Sequence, residues 1–221
     1  MDSWTIRPVA RYSGAFGSKF GIPRQSGLAP GIEGRVVFEE PFRVREALRG
    51  LEEFSHLWLI WGFSGNKPAK GEWQPTVRPP RLGGNTAVGV WATRSPFRPS
   101  GLGLSCVELL RVEGLDLIVK GADLMDGTPI FDIKPYIAYA DSRPEARCGF
   151  ASGAPEATLH VLVPESLPLT DQQRRVLQEV LALDPRPAYQ DSPEKVYAMP
   201  FDGRDVRFHV QDGVLEVLSW D

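Results

Sequence analysis

Apolar positions in this chain recur with a period of two, or run together briefly, between clusters of glycine and proline. That pattern predicts strands at Trp4–Tyr12, Arg35–Phe38, His56–Phe63, Thr86–Thr93, Leu104–Val112, Leu117–Ala122 and Leu159–Val163. Two tight turns are marked by their own chemistry. Glu113-Gly114 joins two apolar strands, and Asp212-Gly213 joins Val206–Val210 to Val214–Trp220, because Asp-Gly supplies the positive φ of a hairpin. Helical spacing is confined to two places. Arg43–Arg49 follows Pro41-Phe42 and stops at Gly50, which predicts a short helix capping one end of a barrel. Thr170 with Gln173 makes a capping box, and Val176, Leu177, Val180 and Leu181 continue the apolar stripe to Asp184-Pro185.

Strands closing into a barrel or sandwich, followed by a helix and a hairpin, divide the chain. The expected organisation is a β-rich domain over residues 1–153 and a small α+β unit over residues 154–221, joined at Ser152–Pro155. No internal repeat or low-complexity tract interrupts it.

Composition places the chain among ordinary soluble proteins: 42% of its 221 residues are apolar and 24% charged. No apolar run approaches the ~18 residues of a membrane span. The start, MDSWTIRPVARY, lacks the apolar core of a secretion signal, so a cytoplasmic protein without a membrane partner is expected. Cys106 and Cys148 form neither a disulfide framework nor a metal pair, and Cys106 reads as core. The formal net charge of −3 argues against a nucleic-acid binder. Its distribution reverses that reading, since Trp73 to Val107 holds no acid but does hold Arg78, Arg81, Arg94 and Arg98.

The same region is rich in glycine and proline: WQPTVRPPRLGGN, then AVGVWATRSPFRPSGLGLS, then GADLMDGTP. Such loops fix backbone donors in space at low ordering cost, although tight turns would need the same residues. The chain has no GxGxxG between strand and helix, no Walker loop, no GxSxG and no HExxH. His56, His160 and His209 lack ligand spacing and read as structural, so no metal is expected. Trp58, Trp61 and Phe63 read as core, whereas Trp91, Phe97 and Tyr136 neighbour Arg94, Arg98 or Lys134 and can stack on splayed RNA bases.

PRQSG at Pro23–Gly27, GLEEFSHLW at Gly50–Trp58, PTVRPPRLGGN at Pro75–Asn85, ATRSPFRP at Ala92–Pro99, DGTPIFDIKPY at Asp126–Tyr136 and DPRPAY at Asp184–Tyr189 together resemble the TrmO family over nearly the whole chain. The resemblance implies a single-sheeted, antiparallel-rich β-barrel that binds S-adenosylmethionine and methylates N6 of N6-threonylcarbamoyladenosine at position 37 of tRNA, in the anticodon loop. It also implies a homodimer with its site near the interface. Carried over position by position, the cofactor pocket would hold Pro23, Arg24, Gln25, Ser64, Gly65, Arg94, Leu104, Leu124, Met125, Asp126, Gly127 and Thr128. Two departures stand out: Ser100-Gly101-Leu102-Gly103 replaces the family's Asn-Pro-Ile-Gly, and Ser64 stands where histidine is common.

Methyl transfer from a sulfonium needs no nucleophilic side chain, but the acceptor N6 carries a proton that a general base must take. Asp126 is the first candidate, with Asp132 and Tyr136 behind it; Asp-Gly turn chemistry is the alternative for Asp126 and strand-end packing for the others. Arg94 and Arg98 suit the threonyl carboxylate, since a guanidinium binds it in bidentate fashion. Arg78, Arg81 and Lys134 read as phosphate contacts, and Arg186 either grips the anticodon arm or packs on the barrel. Two other functions stay open at this point: a methyltransferase for another RNA or small-molecule acceptor, and a non-catalytic RNA-binding barrel.

Overall fold

The computed structural model describes residues 5–66, 73–186, 192 and 194–221. The first unit runs β1 (Ala10–Gly14), β2 (Glu33–Phe38), β3 (His56–Gly62), a small ribbon of β4 (Thr76–Val77) and β5 (Val88–Gly89), then β6 (Leu102–Glu113), β7 (Asp116–Lys120), β8 (Pro129–Pro135) and a one-turn α1 (Ala138–Asp141). The second holds β9 (His160–Leu162), α2 (Asp171–Ala182), β10 (Tyr197–Phe201), β11 (Arg204–Gln211) and β12 (Val214–Trp220).

Six strands close a barrel in the order β1-β2-β7-β6-β3-β8, every pairing antiparallel. Period-two alternation turns Tyr12, Val36, Leu57, Leu59, Trp61, Val107, Val119 and Ile130 into one buried cluster. The Tyr12 ring lies over β2, where a Cβ on Gly34 would come 2.2 Å from its Oη; only glycine leaves room for it. Closure leaves no unpaired edge in this sheet.

In the second unit β10-β11-β12-β9 form a four-stranded sheet, β9 running parallel to β12. Thr170 accepts from the Gln173 amide, and the Gln173 side chain answers at the Thr170 N–H, so the predicted capping box starts α2. Val176, Leu177, Val180 and Leu181 are buried with Phe208, Leu215 and Val217. That core also takes in Phe16, Ala29 and Ile32, which belong to the loop between β1 and β2. Phe16 and Phe201 have ring centroids 5.6 Å apart, Gly31 N–H donates to Glu179 at 2.6 Å, and the Gln172 amide donates to the Gly31 carbonyl at 2.7 Å. Residues of the first unit thus complete the apolar interior of the second.

Several expected elements differ. The first strand begins at Ala10, after Pro8, which offers no N–H to a ladder; Trp4 lies outside the described residues. Thr86–Thr93 is strand only at Val88–Gly89, then turns through Val90–Ala92, where Thr93 closes the turn with both its N–H and hydroxyl on the Val90 carbonyl. The helix expected at Arg43–Arg49 is a series of 3-10 turns, Glu40–Phe42, Arg45–Leu48 and Leu51–Glu53, interrupted by an extended Val44; one turn's worth of good formers does not offset helix nucleation. Strands β8 and β10 were not expected. Pro129 and Pro135 stand at the ends of one and Pro200 on an edge strand, the places where a sheet tolerates proline. Cys106 and Trp58 sit opposite each other on the outer barrel face and are half-buried rather than core.

Candidate active site

Segments far apart in sequence meet at one end of the barrel. The β1–β2 loop brings Pro23, buried, Arg24, exposed, and Gln25, half-buried. Arg94 Nη1 donates to Gln25 Oε1 from the arginine loop. Lys19 Nζ donates to Asn66 at 3.1 Å, tying the same β1–β2 loop to the turn after β3. In that turn Ser64 and Gly65 are exposed, and a Cβ on Gly65 would lie 3.3 Å from Met125 Sδ, so the backbone itself approaches the β7–β8 connection. There Leu124 is buried, Asp126 N–H donates to the Phe16 carbonyl at 2.8 Å, and Gly127 N–H to Tyr12 at 2.8 Å. Gly127, at φ 74°, makes the turn that a side chain would strain. Thr128 is buried, its N–H on the Met125 carbonyl at 3.1 Å.

At the centre of this meeting stands Asp123, a residue that motif reading passed over. Trp61 Nε1–H donates to Ser105 Oγ at 2.9 Å, and the Ser105 hydroxyl donates to Asp123 Oδ1. The carboxyl also has the Ser26 backbone and the Arg94 charge near it. Burial raises its pKa; Ser105, the backbone bonds and Arg94 offset only part of that. Tyr12, buried and facing both Asp123 and Asp126, is pushed far above the ordinary phenol range, so it stays neutral. A half-buried carboxyl on a hydroxyl-indole chain, within reach of a guanidinium, complements a ligand carrying positive charge or hydroxyl donors.

The sign of the Asp123 shift gives a stability test. A carboxyl whose folded pKa is raised contributes stability that is complete below its unfolded value and lost as pH rises through the folded one. Asp123→Asn keeps an acceptor for Ser105 and cannot ionise. It is expected to melt with the parent in acid and above it at pH 8. Thermal melts at the two pH values check this; coincident curves at pH 8 would show the carboxylate is at no disadvantage in the fold.

Asp126 Oδ1 accepts from Gly14 N–H at 3.1 Å, and its side chain is exposed at the meeting point, so it serves the turn while remaining open to solvent. Asp132 and Lys134 lie on the outer face of β8, paired with each other at 2.9 Å. Tyr136 packs between Trp58, at 5.8 Å, and His56, at 6.3 Å. Leu104 is 52% exposed on the outer face of β6, where alternation opposes it to the inward Ser105. Arg98 turns onto the carbonyls of Ser95 and Thr93, stiffening the loop that carries Arg94. Arg81 donates to the Gly153 carbonyl, while Arg78 is exposed just past β4. Arg186 lies along Asp184 in a two-point pair at 2.9 Å with only 11% of its side chain exposed, which is packing geometry. Tyr189 is outside the described residues.

Comparison with known proteins adds the family. Residues 11–142 match the model described as the tRNA-methyltransferase O N-terminal domain, and residues 157–221 the TrmO C-terminal domain. The tRNA (adenine(37)-N6)-methyltransferase of Escherichia coli strain K12 is 41% identical over 233 residues, covering 99% of this chain and 98% of that protein. One of the same name from Eikenella corrodens is 47% identical over 167 residues, 73% of this chain and 93% of the other. The crystal structure of TrmO from Pseudomonas aeruginosa superposes with a TM-score of 0.81 at 31% identity, covering 100% of this chain and 99% of that one.

Proposed function

This chain belongs to the tRNA-methyltransferase O family, and from that premise we propose that its barrel-end site transfers a methyl group from S-adenosylmethionine to N6 of the threonylcarbamoylated adenosine at position 37 of tRNA. It is a methyltransferase dependent on that cofactor and acting on tRNA. The observation that carries the site assignment is the meeting of the β1–β2 loop, the Ser64–Gly65 turn, Arg94 and Leu124–Thr128 at one barrel end.

The residues present suit the cofactor. Exposed backbone at Ser64–Gly65 and Gly127 allows close approach, Met125 offers an apolar wall, and Asp123 places a carboxyl beneath. Pro23, Arg24, Gln25, Arg94 and Leu124 to Thr128 would hold S-adenosylmethionine there; Leu104, on the outer face, would meet it only from a rim or across a dimer. When bound, S-adenosylmethionine supplies a methyl group on cationic sulfur, whose charge disappears on transfer.

The chain's own residues supply orientation and a place for the proton. Arg94, locked to Gln25, presents its remaining guanidinium face to the substrate carboxylate. Asp126 is the base that best fits the site, because it stands at the meeting point with an exposed carboxylate, whereas Asp132 is held by Lys134 and Tyr136 by its ring neighbours. Arg98 sets the Arg94 loop, and Arg78 and Arg81 face the phosphates. The barrel, residues 1–153, would carry the chemistry and residues 154–221 would support it, in a cytoplasmic homodimer.

The test is incubation with methyl-labelled S-adenosylmethionine and tRNA, prepared with or without the threonylcarbamoyl group. Label in the modified tRNA alone is the expected result. Label in both would move the acceptor to plain adenosine or another base, and tRNA binding without label would leave a binding barrel.

A further inference from the structure

We infer that Trp91, backed by Trp73, is a platform on which an unpaired base of the substrate RNA loop stacks; this rests on the tRNA-methylating reading above and names where that site grips its substrate. β4 and β5 pair with Thr76 opposite Gly89, so the ribbon carries Trp73 and Trp91 to the same end. Their ring centroids lie 6.2 Å apart with planes 30° from parallel. Trp73 is 47% exposed and Trp91 69%, and neither belongs to a buried cluster. A large ring held in solvent leaves apolar area uncovered, which is unfavourable. A single exposed tryptophan is ordinary; two arranged ring to ring on a two-stranded ribbon present a flat surface.

What surrounds the pair selects the partner. Along the chain its described neighbours Gln74, Pro75, Thr76, Ala92 and Thr93 are polar or small, and Val90 is fully buried. Among the described residues of the ribbon no large aliphatic side chain is exposed, so an apolar protein face finds no aliphatic rim there, whereas a base needs only the ring. From Trp73 to Val107 the chain holds four arginines and no acid, the charge complement of a phosphodiester backbone. Arg78 is exposed just beyond β4. Arg94 follows Trp91 by three residues and reaches Gln25 at the candidate active site, while Gln74 N–H donates to the Phe97 carbonyl at 3.1 Å and holds the Trp73 strand against the arginine loop. Platform and methyl-transfer site are therefore ends of one arm. A duplex keeps its bases stacked on one another; the splayed bases of a single-stranded loop are what such a ring can take.

The experiment uses the full chain and an RNA stem-loop of anticodon-arm length, with a blunt duplex of equal length as control. Trp91→Ala is expected to weaken stem-loop binding about 5- to 150-fold, the range for loss of one base stack. Trp73→Ala should cost less, and Trp91→Phe should recover most of the affinity. Duplex binding, S-adenosylmethionine binding and thermal unfolding should match the parent, and the salt dependence of stem-loop binding should keep its slope because no charge is removed. Stem-loop affinity unchanged in Trp91→Ala would overturn the inference. So would a shift from dimer to monomer on sedimentation of that variant, which would make the pair a contact between copies. Binding is read without turnover, so stacking that persists in a protein giving no methyl label separates failure of the assigned reaction from failure of the platform.

Discussion

Replacing Arg94 by alanine is expected to lower kcat/KM for tRNA methylation about 100-fold while leaving the melting temperature near that of the parent. The side chain is exposed, so its removal opens no cavity, and surface changes of this kind usually fall within about 0.5 kcal/mol. Its effect lies in what it joins. One guanidinium nitrogen holds Gln25 Oε1, and the charge acts on half-buried Asp123. Loss of a hydrogen bond to a charged group costs roughly 1.5–3 kcal/mol, and loss of the carboxylate-binding fork adds to it. Arg94→Lys keeps the charge without the planar fork and should fall between the two, near 10-fold. Steady-state rates with separate titration of cofactor and tRNA check the result. A parent-like kcat/KM in the alanine variant would remove Arg94 from the site.

Phe16→Ala is expected to destabilise the protein by about 3–5 kcal/mol, the cost of deleting a fully buried aromatic ring. Phe16 is 1% exposed and leans on Phe201 in the interior of the second unit. For a chain of this size that corresponds to a fall in melting temperature of roughly 6–20 °C. The same change should weaken cofactor binding well below the melting point, because Phe16 anchors the loop that carries Pro23 to Gln25, and its carbonyl receives the Asp126 N–H. Chemical denaturation and cofactor titration read the two effects. A cost under 1 kcal/mol would mean that the loop is seated by its hydrogen bonds alone.

The contrast between these residues reflects what a linear sequence displays. The Glu113-Gly114 and Asp212-Gly213 turns and the Thr170 capping box were legible because each is settled by a few adjacent residues: Asp212 and Gly213 both have positive φ, and the box closes on itself. Strand β8 was not, since prolines end it and a register shift opposite Ile60 and Trp61 breaks its alternation at Phe131. Trp61 was legible as core, but Trp58 needed the strand's inward face to be known. Asp123 resembles any loop acid in Gly-Ala-Asp-Leu-Met-Asp-Gly; what distinguishes it is the chain of hydrogen bonds from Trp61 through Ser105, on other strands. Arg98 and Arg94 look alike in ATRSPFRP, yet one closes a turn and the other spans to a distant loop. The family's motifs named the segments, and the fold distributed roles within them.

The seating of Phe16, Ala29 and Ile32 among residues Val176 to Val217 has a consequence during synthesis. A chain emerging from the ribosome can complete the barrel once β8 is out, since β1 already waits to pair with it. The β1–β2 loop then still exposes its apolar residues, because α2 and the terminal hairpin have yet to appear. The loop that carries Pro23 to Gln25 therefore gains its apolar seat only with the final strands, and a chain stalled before them keeps a closed barrel with that loop unseated.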